Sequence, residues 1–377
     1  MLVAYTEQNK RFVLNSSIPK TTLKQLRQME RFYCPQCKEP LLLKIGTFKI
    51  PHFAHYSKKE CEHRFSERES EQHLLGKEQL YQLFHYLGLQ VEIEPYLSEL
   101  KQRPDLLIEK ENRRFAIEFQ CSPITLQRLK ERNFGYKSNG IVPFWIPKTP
   151  NKSYQKGIQI ISLNKQLQLF KMTVDRHSYI MEYNPIVRQF LYMTNLMHLY
   201  GNRFISKVQV IPRMKQQFPF YIPKQLTEQE FKQYFILFNR VKHNYLQSVL
   251  FVNKKGVHHL LLRSLYELRL NGQTLPNYIG IPIHGSEHLK VSPLEWQAAL
   301  FYFLHVTKKS LAQINQTVIL QFIKWAKLPE TNFAISVVRD YCKILESLSI
   351  EHYRQSIHYE ELFYQLYSHF LAIKTKY

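Results

Sequence analysis

The segment that most restricts this chain is a pair of apolar runs separated by six polar residues. Arg103-Pro104-Asp105-Leu106-Leu107-Ile108 continues through Glu109-Lys110-Glu111-Asn112-Arg113-Arg114 into Phe115-Ala116-Ile117-Glu118-Phe119-Gln120. The connection has the polarity and length of a hairpin link, so two adjacent antiparallel strands are predicted. That hairpin sets Asp105 and Glu118 at one end of a sheet. Two carboxylates converging there offer hard oxygen ligands suited to Mg²⁺ or Mn²⁺. The plainer alternative is a half-buried hairpin whose two acids are only solvated.

The flanking segments extend the pattern. From Ser66 to Gly88, Leu80, Leu83, Phe84 and Leu87 recur at helical core spacing. The same face, followed toward the N-terminus, presents Lys77, His73 and Glu69 at intervals of four, so one helix would hold all three near the acids. A merely solvated face is the competing reading. Leu89 to Pro95 alternates as a strand, Thr125 to Lys137 reads as a helix, and Ile141 to Ile146 is a short apolar run after Gly140. The predicted order is therefore α-β-β-β-α-β. On the second helix Arg128, Arg132 and Tyr136 sit four apart and form a basic and aromatic stripe suited to a nucleic-acid backbone.

Charge supports that choice of partner. The formal net charge is +22, far beyond what solubility requires, and it favours a polyanion. From Cys121 to Val174 the only acid is Glu131, against nine Lys or Arg. With 24 Tyr and 25 Phe, aromatic rings among basic residues suit stacking with single-stranded DNA, although most of them are expected in the core. No apolar run approaches the length of a membrane span, and the N-terminus lacks signal-peptide character, so a cytoplasmic protein is expected.

The first 66 residues read as a separate module. Leu2-Val3-Ala4-Tyr5 and Arg11-Phe12-Val13-Leu14 form a predicted β-hairpin, and Thr21 to Met29 a short helix capped by a threonine. Cys34-Pro35-Gln36-Cys37 is followed, after 14 intervening residues, by His52-Phe53-Ala54-His55. A Cys-x-x-Cys knuckle with a second ligand pair completes a tetrahedral zinc site, and four protein ligands make it structural. Cys34, Cys37, His52 and His55 are the expected set, with Cys61 as the first substitute and Cys61-Glu62-His63 as spare ligands. A redox Cys-x-x-Cys fits less well, since no βαβ pattern surrounds it.

At this point the residues resemble a known family. Pro104-Asp105 and Glu118-Phe119-Gln120 on an α-β-β-β-α-β frame resemble the PD-(D/E)xK nuclease superfamily. The wider set resembles the CoiA family of competence proteins: Cys34-Pro35-x-Cys37, His52-Phe53-Ala54-His55, Glu69-Ser70-x-x-His73-x-x-x-Lys77, Arg103-Pro104-Asp105, Glu118-Phe119-Gln120-Cys121-Ser122 and Arg132-x-x-x-Tyr136. All of it lies within residues 1–150. The resemblance implies a nuclease-like core and a role in processing or recombining DNA during natural transformation, with recombination and competence proteins as partners. It departs at one point: the motif's lysine is Gln120 here. Glutamine can orient a water but supplies no charge, so Lys77 is the proposed substitute cation. Asp105 and Glu118, with Glu69, would hold Mg²⁺ or Mn²⁺, Gln120 would position the water, His73 would lie near the phosphate, and Arg128, Arg132 and Tyr136 would hold the strand.

Beyond residue 175 apolar residues recur at helical intervals, as in Val187-Phe190-Leu191-Met193-Thr194, Phe231-Tyr234-Phe235-Leu237-Phe238 and Leu294-Trp296-Leu300-Phe301-Phe303-Leu304. The expected fold is thus α+β in three parts: a β-hairpin and zinc-ribbon-like module (1–66), a PD-(D/E)xK α-β-β-β-α-β core (67–174) and an all-helical C-terminal domain (175–377). Three functions compete. The first is a metal-dependent nuclease. The second is a DNA-binding or docking factor that keeps the fold without turnover, favoured by Gln120. The third is a zinc-ribbon transcription or replication factor, which leaves the acid pair unexplained.

Overall fold

The computed structural model describes residues 1–46, 49–56, 69–150, 154–174, 177–252 and 256–371. Cys61, His63 and the start of the helix predicted from Ser66 lie outside them. The chain forms two compact units: residues 1–154 with 181–192 and 210–221, and residues 155–180 with 193–209 and 222–377.

The first unit begins with β1 (Val3–Thr6) and β2 (Arg11–Val13), paired antiparallel as the alternation predicts. Helix α1 (Lys20–Met29) follows. Its N-cap is Pro19 rather than a threonine, and no side chain caps it. The proline fixes the backbone for a helix that begins one residue earlier than the threonines suggested. Strands β3 (Phe32–Tyr33), β4 (Pro40–Lys44) and β5 (His52–His55) complete a five-stranded sheet of order β2-β1-β3-β4-β5. Phe12, Phe32 and Phe53 pack together on it.

The α-β-β-β-α-β order is present. It consists of α2 (Glu71–Tyr86), β6 (Gln90–Ile93), β7 (Leu106–Lys110), β8 (Arg113–Gln120), α3 (Leu126–Ser138) and β9 (Ile141–Pro147). The sheet runs β6-β7-β8-β9, with β8 and β9 parallel and the other pairs antiparallel. Strand β8 is buried from Phe115 to Phe119. Helix α2 crosses it closely: a Cβ on Gly76 would stand 2.0 Å from the Phe119 ring, so only glycine allows this approach.

Strand β10 (Gly157–Ser162) and the short helix α4 (Lys165–Gln168) precede β11 (Met172–Val174), β12 (His177–Asn184), β13 (Gln189–Tyr200) and β14 (Arg203–Pro212). This corrects the all-helical reading from residue 175. Phe190 to Thr194, assigned to a helix from the sequence, lies in β13. That strand is buried on both faces, so its apolar residues show no period of two, and a run of this kind cannot be told from a buried helix. Helices dominate only from α5 (Glu228–Val252) onward, through α6 (Leu260–Glu267), α7 (Pro293–Thr307), α8 (Gln316–Trp325), α9 (Asn332–Ser347) and α10 (Tyr359–Leu371). Phe231, Tyr234, Trp296, Leu300, Phe322 and Tyr341 lie in the core of this second unit. Among the described residues no helix is long and apolar enough to cross a membrane.

Candidate active site

The β7–β8 register builds the site. Leu106 pairs with Ile117, which sets Asp105 across from Glu118 where the chain enters β7 and prepares to leave β8. Asp105 Oδ2 accepts the Phe119 N–H at 2.8 Å and lies 3.1 Å from His73 Nε2. Its Oδ1 is 3.7 Å from Lys77 Nζ. His73 and Lys77 stand one turn apart on α2. Glu69 is not on the helix, because Ser70 is the N-cap and its side chain accepts the His73 N–H. Glu69 instead folds back to pair with Lys77.

Lys77 is completely enclosed and also pairs with Glu94, a residue the sequence reading passed over. Glu94 sits between β6 and β7 in the left-handed region (φ 47°), and its N–H donates to the Asp105 carbonyl at 2.9 Å. This conformation is costly for a non-glycine residue, and such backbone clusters at functional positions. Glu94 Oε2 accepts the Leu2 N–H at 3.0 Å and the Val3 N–H at 3.3 Å, which ties β1 to the site. The available signal was an acid at the end of the strand's alternation, immediately before Pro95.

Glu118 belongs to a different group. It accepts from Arg132 and from the Tyr136 hydroxyl. Arg132 also donates to Tyr136 Oη at 2.8 Å and to the Arg103 carbonyl at 3.1 Å. The guanidinium lies over the Tyr136 and Trp145 rings, 5.8 and 5.6 Å from their centroids. Two members of the stripe expected to face a nucleic acid therefore face Glu118, and Tyr136 has no exposed surface. A buried carboxyl requires donors, and these are within reach. Arg128 stays half-buried at the surface, 3.6 Å from Glu131. Gln120 Nε2 donates to the Ser122 carbonyl at 2.7 Å.

Electrostatics separate the two acids. Burial acts to raise the Asp105 pKa, but His73 and Lys77 outweigh it and hold the carboxyl down at about 2. Burial raises Glu118 to about 7, with the Asp105 charge adding to the effect and Arg132 and Tyr136 only partly opposing it. Glu69 is held well below the usual carboxylate range despite burial, chiefly by Lys77. Burial would strip the proton from Lys77, yet Glu69, Glu94 and Asp105 raise its pKa.

Ligand atoms of Glu69, His73 and Asp105 all lie within 4.8 Å of one another. Two carboxylates and an imidazole fit a hard divalent cation. A second group joins Cys34, Cys37 and His55, a soft set that fits zinc. Cys37 Sγ is 3.3 Å from His55 Nε2. His52 is not gathered with them: it stands three positions before His55, an odd offset that puts the two on opposite faces of β5, and its Nδ1 meets the Ile50 carbonyl at 3.0 Å.

Residues 15–64 match the N-terminal domain of competence protein CoiA, and residues 69–226 match its nuclease-like domain. The chain is 28% identical over 306 residues to competence protein CoiA of Bacillus subtilis (strain 168), covering 80% of this chain and 79% of that protein. No solved structure matches. The two domain matches, in chain order and joined by that relative, place the chain among the CoiA-like competence proteins.

Proposed function

We propose that this chain is a divalent-metal-dependent deoxyribonuclease of the PD-(D/E)xK type. It would process DNA taken up during natural transformation, in the cytoplasm, before recombination. The observation behind this reading is the register that sets Asp105 opposite Glu118, with Glu69 and His73 brought beside Asp105. Glu69, His73 and Asp105 are the residues that would hold Mg²⁺ or Mn²⁺, with Glu118 across the hairpin. Such an ion supplies an activated water and screens the phosphate charge.

The reaction is hydrolysis: water attacks phosphorus, and the bond to the leaving oxygen breaks. Asp105 stays ionised throughout the neutral range. Glu118, titrating near 7, can accept a proton from the water at its carboxylate, while Arg132 and Tyr136 fix its orientation. Gln120 is held by Ser122 where the motif lysine would stand and would orient the water. Lys77 pairs with Glu69 and Glu94 and lies 3.7 Å from Asp105, so its proposed role is to fix these acids rather than to touch phosphate. Cys34, Cys37 and His55 would hold a structural zinc, to be measured as about one ion per chain and lost in Cys37→Ser.

The double variant Asp105→Asn with Glu118→Gln is expected to abolish cleavage and spare DNA binding. Loss of both together would assign the acids to the fold instead. A second reading, a DNA-binding recombination factor without turnover, is favoured by one observation: neither Lys77, fully enclosed, nor Gln120, turned to Ser122, presents a charge to a phosphate.

A further inference from the structure

Helix α3 has two faces of different character. Its inner face presents Leu129, Arg132 and Tyr136 to the sheet and to Glu118. Its outer face presents Lys130, Phe134 and Lys137, spaced four and three apart and therefore aligned on one side. Phe134 is 75% exposed. A single exposed apolar residue is ordinary; what distinguishes Phe134 is its charge setting. Glu131, the one acid between Cys121 and Val174, is occupied by Arg128 at 3.6 Å and by Gln127 Nε2 at 3.0 Å. Among the described residues neither Lys130 nor Lys137 forms an ion pair.

We propose that this outer face, Lys130–Phe134–Lys137, is a docking surface for single-stranded DNA on which Phe134 stacks against a base. The two lysines meet phosphates on either side of the ring. An unpaired strand is the fitting occupant because its bases offer free faces, whereas in a duplex those faces are stacked on one another. The site's position follows from the helix itself. The strand would lie on the far side of the helix, roughly one helix diameter, about 10 Å, from the face that holds Glu118. The proposal rests on DNA being the substrate, but it concerns binding and does not require cleavage.

The test is fluorescence anisotropy on the full chain without added Mg²⁺ or Mn²⁺, using labelled oligo-dT and a duplex of equal length across a salt series. Phe134→Ala should weaken oligo-dT binding about tenfold, the loss of one stacked base, and leave the salt dependence unchanged. Duplex affinity should change less than twofold, and Phe134→Trp should restore the parent value. Lys130→Ala with Lys137→Ala should lower the salt slope by about 0.7 for each lysine. Phe134→Ala binding within twofold of the parent, equal losses for both DNA forms, or no binding of either DNA by the parent would each overturn the proposal. So would polyglutamate that competes as well as DNA, which would mark a surface for acidic peptides. A parent that binds oligo-dT in this way yet never cleaves it would sustain the proposal and remove the nuclease assignment alone.

Discussion

The two sides of the candidate site handle buried charge in opposite ways. On the α2 side, Lys77 sits among Glu69, Glu94 and Asp105, and all three acids are lowered from their ordinary values despite burial. On the α3 side, Glu118 has Arg132 and Tyr136 for partners and still titrates near 7. The difference is not distance along the sheet, since Asp105 and Glu118 face each other across one hairpin. It lies in whether nearby positive charge outweighs desolvation. The α2 side thus keeps its carboxylates ionised and able to ligate a cation, and the α3 side is a group able to exchange a proton at neutral pH.

The largest expected effect breaks the α2 side. Lys77→Met leaves three acids without their common cation and should cost about 3–5 kcal/mol in urea unfolding. Arg132→Met should cost distinctly less, because Glu118 can take a proton and become neutral. Equal losses would erase the contrast.

Stability against pH gives the next test, in metal-free protein. The folded value of Glu118 lies above that of the unfolded chain. Its contribution is therefore complete below about pH 4.5 and is lost as pH rises through about 7, by about 3 kcal/mol in total. Asp105 is depressed, so its contribution is present above about pH 4 and is lost as pH falls through about 2. Glu118→Gln should flatten the first window and Asp105→Asn the second, as read by thermal unfolding across pH. An unchanged profile in either variant would contradict the corresponding assignment. Elsewhere in this unit Glu182 has no exposed surface and, among the described residues, neither of its carboxyl oxygens has a hydrogen-bond partner, with burial raising it to about 8. By the same sign, Glu182→Gln should stabilise the chain at pH 8–9 and have little effect near pH 4.

The smallest effect separates the helix caps. Ser70 and Thr125 each accept a backbone N–H at the start of α2 and α3, and replacing either by alanine should cost about 1 kcal/mol. Only Ser70→Ala loosens the turn that holds Glu69, so only that variant should weaken Mn²⁺ binding, as followed by calorimetry.

Much of the site could be read from the chain. The apolar runs of β7 and β8, the helical period of α2 and the Cys-x-x-Cys knuckle are local patterns, and local patterns survive without tertiary knowledge. What could not be read depends on direction in space. His52 and His55 look like a ligand pair in sequence, but on a strand they point to opposite faces. Arg132 and Tyr136 share a helix face, but nothing in the sequence says that it faces Glu118. Glu94 reaches Lys77 through a left-handed turn that no propensity predicts. β13 has no alternation because both of its faces are buried.

The central claim is that the Asp105 side holds a divalent ion that enables phosphodiester cleavage. It is tested most directly by incubating the pure chain with single- and double-stranded DNA, with and without Mg²⁺ or Mn²⁺, beside Asp105→Asn. The account predicts cleavage that requires added metal and disappears in the variant while zinc content stays the same. Intact DNA with both metals, or equal cleavage by Asp105→Asn, would contradict it.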